Sequence, residues 1–328
     1  MSRQSAFEKM RRVAEGALRS SVVDAAAHTL ARMRYMLPDA HPARFDVRVL
    51  FDVAYGEHAK NRLDVYIPTR TPKPLPVVMY VHGGGFAMLS KETHRVMALT
   101  IARRGYLTFN IDYRQGARNQ FPAPLEDASA ALQWVAQNAE RYGGDPNKIA
   151  IAGESAGGNL VTALALVNSI RRPEPYARRL FDAQLPLAAV MATYPLLDVH
   201  DVHRWQDHPT MSWWVKDMLL DAATSYVGSR AWAPRDDDAL HSPLVLLERG
   251  PTLDRPLPPF FLSVGTRDPL LAHSRRLKDV LDRMGSECVL HVSPGEIHGF
   301  DAMVWREPAK DKWRAAHDFL RTHMKSER

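Results

Sequence analysis

The chain has 328 residues, 45% of them apolar, and 43 basic against 37 acidic side chains leave a formal charge of +6. That length buries one large core plus a subsidiary element without requiring a second independent domain. The basic residues are scattered rather than run together, which argues against nucleic-acid binding, and no stretch reaches the ~18 consecutive apolar residues of a membrane span.

Charged residues interrupt Met1 to Leu30, so no secretion signal is expected and the default localisation is cytoplasmic. Phe7, Met10, Val13, Ala14, Ala17 and Leu18 recur at helical spacing, and Ala27, Leu30, Met33 and Met36 do so more loosely, which predicts two amphipathic helices. Phe45 to Tyr55 and Leu63 to Ile67 read as antiparallel strands at a sheet edge. Val77 to Val81 is an apolar strand that runs into His82-Gly83-Gly84-Gly85-Phe86. A helix around His94 to Arg104, a strand from Leu107 to Ile111 and a helix from Pro124 to Tyr142 follow, with Asp145-Pro146 expected to break the chain.

The next strand, beginning at Lys148, ends in Gly153-Glu154-Ser155-Ala156-Gly157, and a helical pattern runs from Leu160 to Ile170. Arg171, Arg172, Arg178 and Arg179, interrupted by Pro173 and Pro175, read as an exposed loop. After the strand Leu187 to Thr193 the pattern changes: Trp205, Trp213, Trp214 and Trp232 sit among acidic residues and short helical patches. Asp236, Asp237 and Asp238 read as a solvated loop, since consecutive carboxylates point in different directions and make a poor metal site. Strands return at Pro259 to Gly265, with Asp268 just beyond, and at Cys288 to Val292, ahead of the loop that carries Glu296 and His298. The single cysteine, Cys288, excludes an internal disulfide framework and reads as a core residue of that last strand. Strands alternating with helices in this way demand a mostly parallel sheet with helices on both faces.

Within this frame Gly153, Ser155 and Gly157 form a GxSxG pattern placed between strand and helix, which exposes a serine at the tip of a sharp turn. A serine hydroxyl is a weak nucleophile and needs a base, an orienting acid and donors for an oxyanion. His298 and Asp268 fall on strand-end loops and are the candidate base and acid; Glu296, Asp301, His94 and His291 are the weaker alternatives. The glycine run can turn backbone N–H groups toward a developing charge, and His82 reads as an anchor of that loop.

HGGGF, GESAGGNL, DPL and HGF, in this order, together resemble the hormone-sensitive-lipase-like family of α/β-hydrolase carboxylesterases over roughly residues 60 to 320. Glu154 stands where Asp is commoner in that family. Asn61 to Pro68 with Tyr142-Gly143-Gly144-Asp145-Pro146 also resembles the arylformamidase and prenylcysteine-methylesterase branch. The resemblance implies an α/β-hydrolase fold, with a mostly parallel central sheet, helices on both faces and a helical cap. The implied division is an N-terminal cap segment at 1–42, core at 43–196, a cap insertion at 197–250 and core again at 251–328. It implies a Ser155, Asp268 and His298 triad, an oxyanion hole from Gly83, Gly84, Gly85 and Ala156, and a pocket drawn from Phe86, Met33, Tyr35, Met36, Trp213 and Trp214. The expected substrate is a small-molecule ester of short to medium acyl length, with no cofactor and no metal; a homodimer is left open. An arylformamidase or amidase with the same triad, and a non-catalytic receptor on the same fold, are the alternatives.

Overall fold

Residues 21–33, 41–201, 204–205, 207, 211–228, 231 and 240–324 are described by the computed structural model of the chain. The strands are β1 (Val47–Ala54), β2 (Arg62–Pro68), β3 (Leu75–Val81), β4 (Leu107–Ile111), β5 (Gly144–Glu154), β6 (Leu187–Thr193), β7 (Phe260–Gly265) and β8 (Cys288–Ser293). They form one 8-stranded sheet in the order β1-β2-β4-β3-β5-β6-β7-β8. Pairing is antiparallel at β1 with β2 and at β2 with β4, and parallel from β4 across to β8. The sequence therefore anticipates both the antiparallel edge and the parallel body.

Helices cover both faces: α1 (residues 21–33), α2 (Arg95–Ala102), α3 (Ala123–Asn138), α4 (Ala156–Ser169), α5 (Pro175–Asp182), α6 (Trp213–Val227), α7 (Pro243–Glu248), α8 (Leu271–Arg283) and α9 (Glu307–His323). Period-two alternation distributes the strand side chains between them. Val77, Met79 and Val81 with Ile149 and Ile151 face the larger core under α3 and α4, whereas Val78, Tyr80, Ala150 and Ala152 face α2 and α9 through Met97, Ile101, Trp313 and Phe319. Every residue of α4 is buried, which explains a helix with no charged side chain in its sequence.

Two sequence readings are corrected. Asp145-Pro146 does not end a segment: β5 begins at Gly144, pairs there with Leu75, and shifts register before Ile149 meets Val77. A bulge accommodates the proline without breaking the strand. The arginines after α4 are not one loop, because Pro175 opens α5, which carries Arg178 and Arg179, while Arg172 pairs with Glu174 at 3.0 Å.

The position of β3 decides where chemistry is possible. The chain leaves β3 toward β4 on one side, then crosses back to β5 on the other. The loops after β3 and β5 thus diverge at a switch in strand order, where open parallel sheets form their crevice. His82 to Phe86 and Ser155 occupy those two loops.

Candidate active site

The turn after β5 is built by exclusion of side chains. A Cβ on Gly153 would lie 2.6 Å from the carbonyl carbon of Gly157, and one on Gly157 would lie 2.0 Å from the carbonyl oxygen of Val81. Strand and helix can approach this closely only with glycine at both positions. Between them Ser155 adopts φ 53 and ψ −114, an unfavourable positive-φ conformation for a residue with a side chain. Such a conformation costs on the order of 1–3 kcal/mol and persists where neighbours enforce it. Here the Ser155 N–H donates to Thr193 at 2.9 Å, and its carbonyl accepts from Asn159 and Leu196 at 3.1 Å each.

His298 meets this serine from the loop after β8. Its Nε2 lies 3.0 Å from Ser155 Oγ, and its Nδ1 lies 2.9 Å from Asp268 Oδ2. Asp268 is buried, and its Oδ1 accepts the Leu270 N–H at 2.8 Å. Burial by itself would push the His298 imidazole down, but the Asp268 charge and hydrogen bond outweigh it and hold the ring above its ordinary value of 6.5. The Tyr194 ring packs on the imidazole with centroids 4.4 Å apart, and its hydroxyl donates to Asp301, which also accepts Lys312 Nζ at 2.7 Å. Glu296, the rival acid by sequence proximity, is taken by Arg306 through contacts of 2.8 and 2.9 Å. That pair tethers the His298 loop to the start of α9. His94 faces Glu154, and His291 lies within β8.

The glycine run lies opposite. Gly83 donates its N–H to Glu154 Oε1 at 2.6 Å, so it shapes the loop while Gly84 and Gly85 advance beyond it. Gly84 has φ +112 and would place a Cβ 1.9 Å from the Met88 carbonyl oxygen; Gly85 has φ +60. His82 is buried, with Nδ1 2.6 Å from the Gly83 carbonyl and its ring stacked on Tyr113 at 4.5 Å.

A family model for the alpha/beta hydrolase fold matches residues 78–302, a span that begins in β3 and ends just past His298. The chain belongs to the α/β-hydrolase family. The carboxylesterase NlhH of Mycobacterium tuberculosis is 30% identical over 244 residues, 72% of this chain and 70% of its own. The isoprenylcysteine alpha-carbonyl methylesterase ICME of Arabidopsis thaliana is 23% identical over 273 residues, 83% of this chain and 61% of its own. Among solved structures, a bacterial heroin esterase superposes with a TM-score of 0.77 at 26% identity, covering 94% of this chain and 93% of that one. The motif-based resemblance to hormone-sensitive-lipase-like hydrolases is therefore borne out.

A cavity of about 130 Å³ borders Gly84 and Gly85 and is lined by Val23, Met88, Trp214, Met218, Asp221 and Ala222. Trp214 is among the expected residues. Trp213 is 71% exposed and Met33 is 61% exposed on α1, whereas Val23 of the same α1 borders the cavity. Phe86 is turned into the core: it is buried, with its ring stacked 3.7 Å from that of Tyr226. Tyr35 and Met36 lie outside the described residues, as do Trp232, the three consecutive aspartates and the first predicted helix. Trp205 is a core residue. Met218 and Ala222 were legible in principle, since with Trp214 they recur every four residues along α6. Val23 was not, because its role depends on how α1 docks. Asp24 Oδ1 accepts the Leu89 N–H at 2.6 Å, and His28 Nε2 lies 2.8 Å from Ser90 Oγ, fastening α1 to the segment after the glycine run.

Burial raises the Cys288 thiol to about 12, so it stays protonated at the sheet edge. Among the described residues no group of His, Cys, Asp and Glu side chains is arranged to hold a metal ion, and no helix is long and apolar enough to cross a membrane.

Proposed function

We propose that the chain is a serine carboxylic ester hydrolase that acts on small-molecule esters through Ser155, His298 and Asp268. The observation that carries this reading is the hydrogen-bonded line from Asp268 Oδ2 through both ring nitrogens of His298 to Ser155 Oγ. Asp268 accepts the hydrogen bond from Nδ1–H, which leaves Nε2 bare and able to accept the Ser155 proton as Oγ attacks the ester carbonyl. The tetrahedral oxyanion is received by the N–H groups of Gly84, Gly85 and Ala156. Ala156 opens α4, where the first N–H groups have no intrahelical acceptor. His298 then gives its proton to the leaving alkoxide, and a water repeats the sequence to release the acid from the acyl-enzyme.

Residues 1–42 and 197–250 act as the cap of this site. The position of α1 and α6 over the cavity beside Gly84 and Gly85 supports that division. The small apolar cavity favours short to medium acyl chains. Hydrolysis of p-nitrophenyl esters from acetate to palmitate is expected to peak at the short to medium end, and Met218→Ala is expected to move the peak toward longer chains. A flat profile, or one unmoved by Met218→Ala, would remove this cavity from the acyl site. An aryl formamide belongs in the same assay, since preference for it over every ester would favour the amidase reading.

The pH profile tests the base. His298 works as a base only when neutral, and its pKa is raised above 6.5. The kcat/KM should therefore hold at high pH and fall about tenfold per unit as pH drops through that raised value, the acid limb lying above the ordinary histidine range. An acid limb at or below the ordinary value would contradict the Asp268 pairing.

A further inference from the structure

Glu154 precedes the nucleophile, is 4% exposed, and takes no part in the proton transfers above. Its carboxyl nevertheless reaches across the crevice. Oε1 accepts the Gly83 N–H at 2.6 Å and lies 2.6 Å from His94 Nε2, while Oε2 accepts the Tyr80 hydroxyl. Tyr80 belongs to β3 and His94 caps α2, so the carboxyl is held from the two elements that flank the glycine run.

We propose that Glu154 is a positioning residue that sets the separation of the two halves of the oxyanion hole, because its backbone leads into Ser155 and Ala156 while its side chain holds Gly83. This deepens the serine-esterase reading and rests on it. The geometry is specific to the length of the side chain. One residue spans from the β5 turn, which supplies the Ala156 N–H, to the β3 loop, which supplies those of Gly84 and Gly85. A Cβ on Gly83 would stand 2.9 Å from the Glu154 carbonyl oxygen and 3.3 Å from Ser155 Cβ, so the two loops are already at contact and the Gly83 hydrogen bond fixes their register.

The charge of this carboxyl matters as much as its reach, since an anion here would oppose the oxyanion forming nearby. His94 Nδ1 lies 3.0 Å from the Ser90 carbonyl and 2.8 Å from Thr93 Oγ1; the Thr93 hydroxyl donates to that same carbonyl at 2.7 Å, so Nδ1 meets only acceptors and carries the proton. The neutral ring then presents a bare Nε2, and the contact with Oε1 holds one shared proton. Burial pushes Glu154 up to about 8, with the Asp301 charge adding to it, and burial pushes His94 down to about 3. Both directions keep the proton on Glu154 and the pair uncharged. A neutral carboxyl can thus hold the loop without repelling the charge that the loop must stabilise.

Glu154→Gln and Glu154→Asp separate reach from bulk stability. Glutamine keeps an acceptor at the distance of Gly83, with His94 donating to it from Nε2 in its other tautomer and Nδ1 turning to the Thr93 hydroxyl, whereas aspartate is one methylene shorter and withdraws it. In the full chain, Glu154→Asp is expected to lose about a hundredfold in kcat on a p-nitrophenyl ester with KM little changed, the scale of one oxyanion donor. The inhibition constant of an alkyl trifluoromethyl ketone, which forms a tetrahedral oxyanion on the serine, should weaken by a similar factor. Glu154→Gln should recover at least about tenfold of both. Equal activity of the two variants, or losses in thermal stability with kcat and inhibitor affinity intact, would overturn the proposal. Ser155→Ala run alongside keeps the two readings apart: cleavage near the wild-type rate by that variant sinks the esterase reading, while equal Glu154 variants of a Ser155-dependent enzyme sink this inference alone.

Discussion

Ser155→Ala is expected to reduce kcat on a p-nitrophenyl ester by about a millionfold, the scale seen when the nucleophile of a serine triad is removed. The geometry concentrates the effect on this atom. Ser155 Oγ lies 3.0 Å from His298 Nε2 at the tip of a turn whose conformation is fixed from β6 and α4 by backbone hydrogen bonds. Those bonds involve the Ser155 N–H and carbonyl, not its hydroxyl, so the alanine variant should keep its thermal midpoint. It should also keep a residual rate above that of water, since the proposed oxyanion donors, the N–H groups of Gly84, Gly85 and Ala156, would remain to polarise a bound carbonyl. Stopped-flow acylation is the decisive readout: a burst of p-nitrophenol from the variant would mean that another nucleophile forms the acyl-enzyme. Cleavage near the wild-type rate would exclude Ser155 altogether.

Asp268→Asn is expected to cost about ten-thousandfold in kcat. The amide side chain would fill the same volume and can still accept the Leu270 N–H that Asp268 Oδ1 accepts at 2.8 Å. What it cannot guarantee is the tautomer. The carboxylate accepts only, so Nδ1 must donate and Nε2 must be free for the serine proton; an amide can present its own N–H to Nδ1 and reverse the ring. The pH profile gives a second signature. Asp268 is what raises the His298 pKa against the opposing effect of burial, so the acid limb of kcat/KM in the variant should move to lower pH. A variant with activity within about tenfold of wild type, paired with a crippled Glu296→Gln, would transfer the acid role to Glu296. The bidentate contact of Glu296 with Arg306 argues for the opposite result, a tethering role whose loss leaves the chemistry standing.

Much of this site is legible along the chain because its chemistry imposes residue types on short stretches. A serine at positive φ between a strand and a helix needs glycines two residues to either side, and Gly153 and Gly157 are there for a steric reason that acts within one turn. The inner strands β3, β6 and β7 stand out as mainly apolar runs because nearly all their side chains are buried, on both faces of the sheet. The order of Ser155, Asp268 and His298 follows from loops at strand ends, so it too can be read from one end of the chain to the other.

Whatever depends on remote elements meeting was left to tertiary packing. Phe86 looks like a pocket residue in HGGGF, yet Tyr226 of α6 offers its ring a stacking partner and draws it into the core. Met33 and Val23 lie on the same short helix, and the contacts of Asp24 and His28 with Leu89 and Ser90 determine which of them faces the glycine run. Glu154 is one letter in GESAGG, but its partners Gly83, Tyr80 and His94 come from the loop after β3, from β3 itself and from the cap of α2. The fold, the turn that bears Ser155 and the order of the groups that flank it are thus written in the sequence, because strand burial and turn sterics act locally. The cavity wall and the hold on the glycine loop emerge only in three dimensions, because they depend on side chains that folding brings together from far apart.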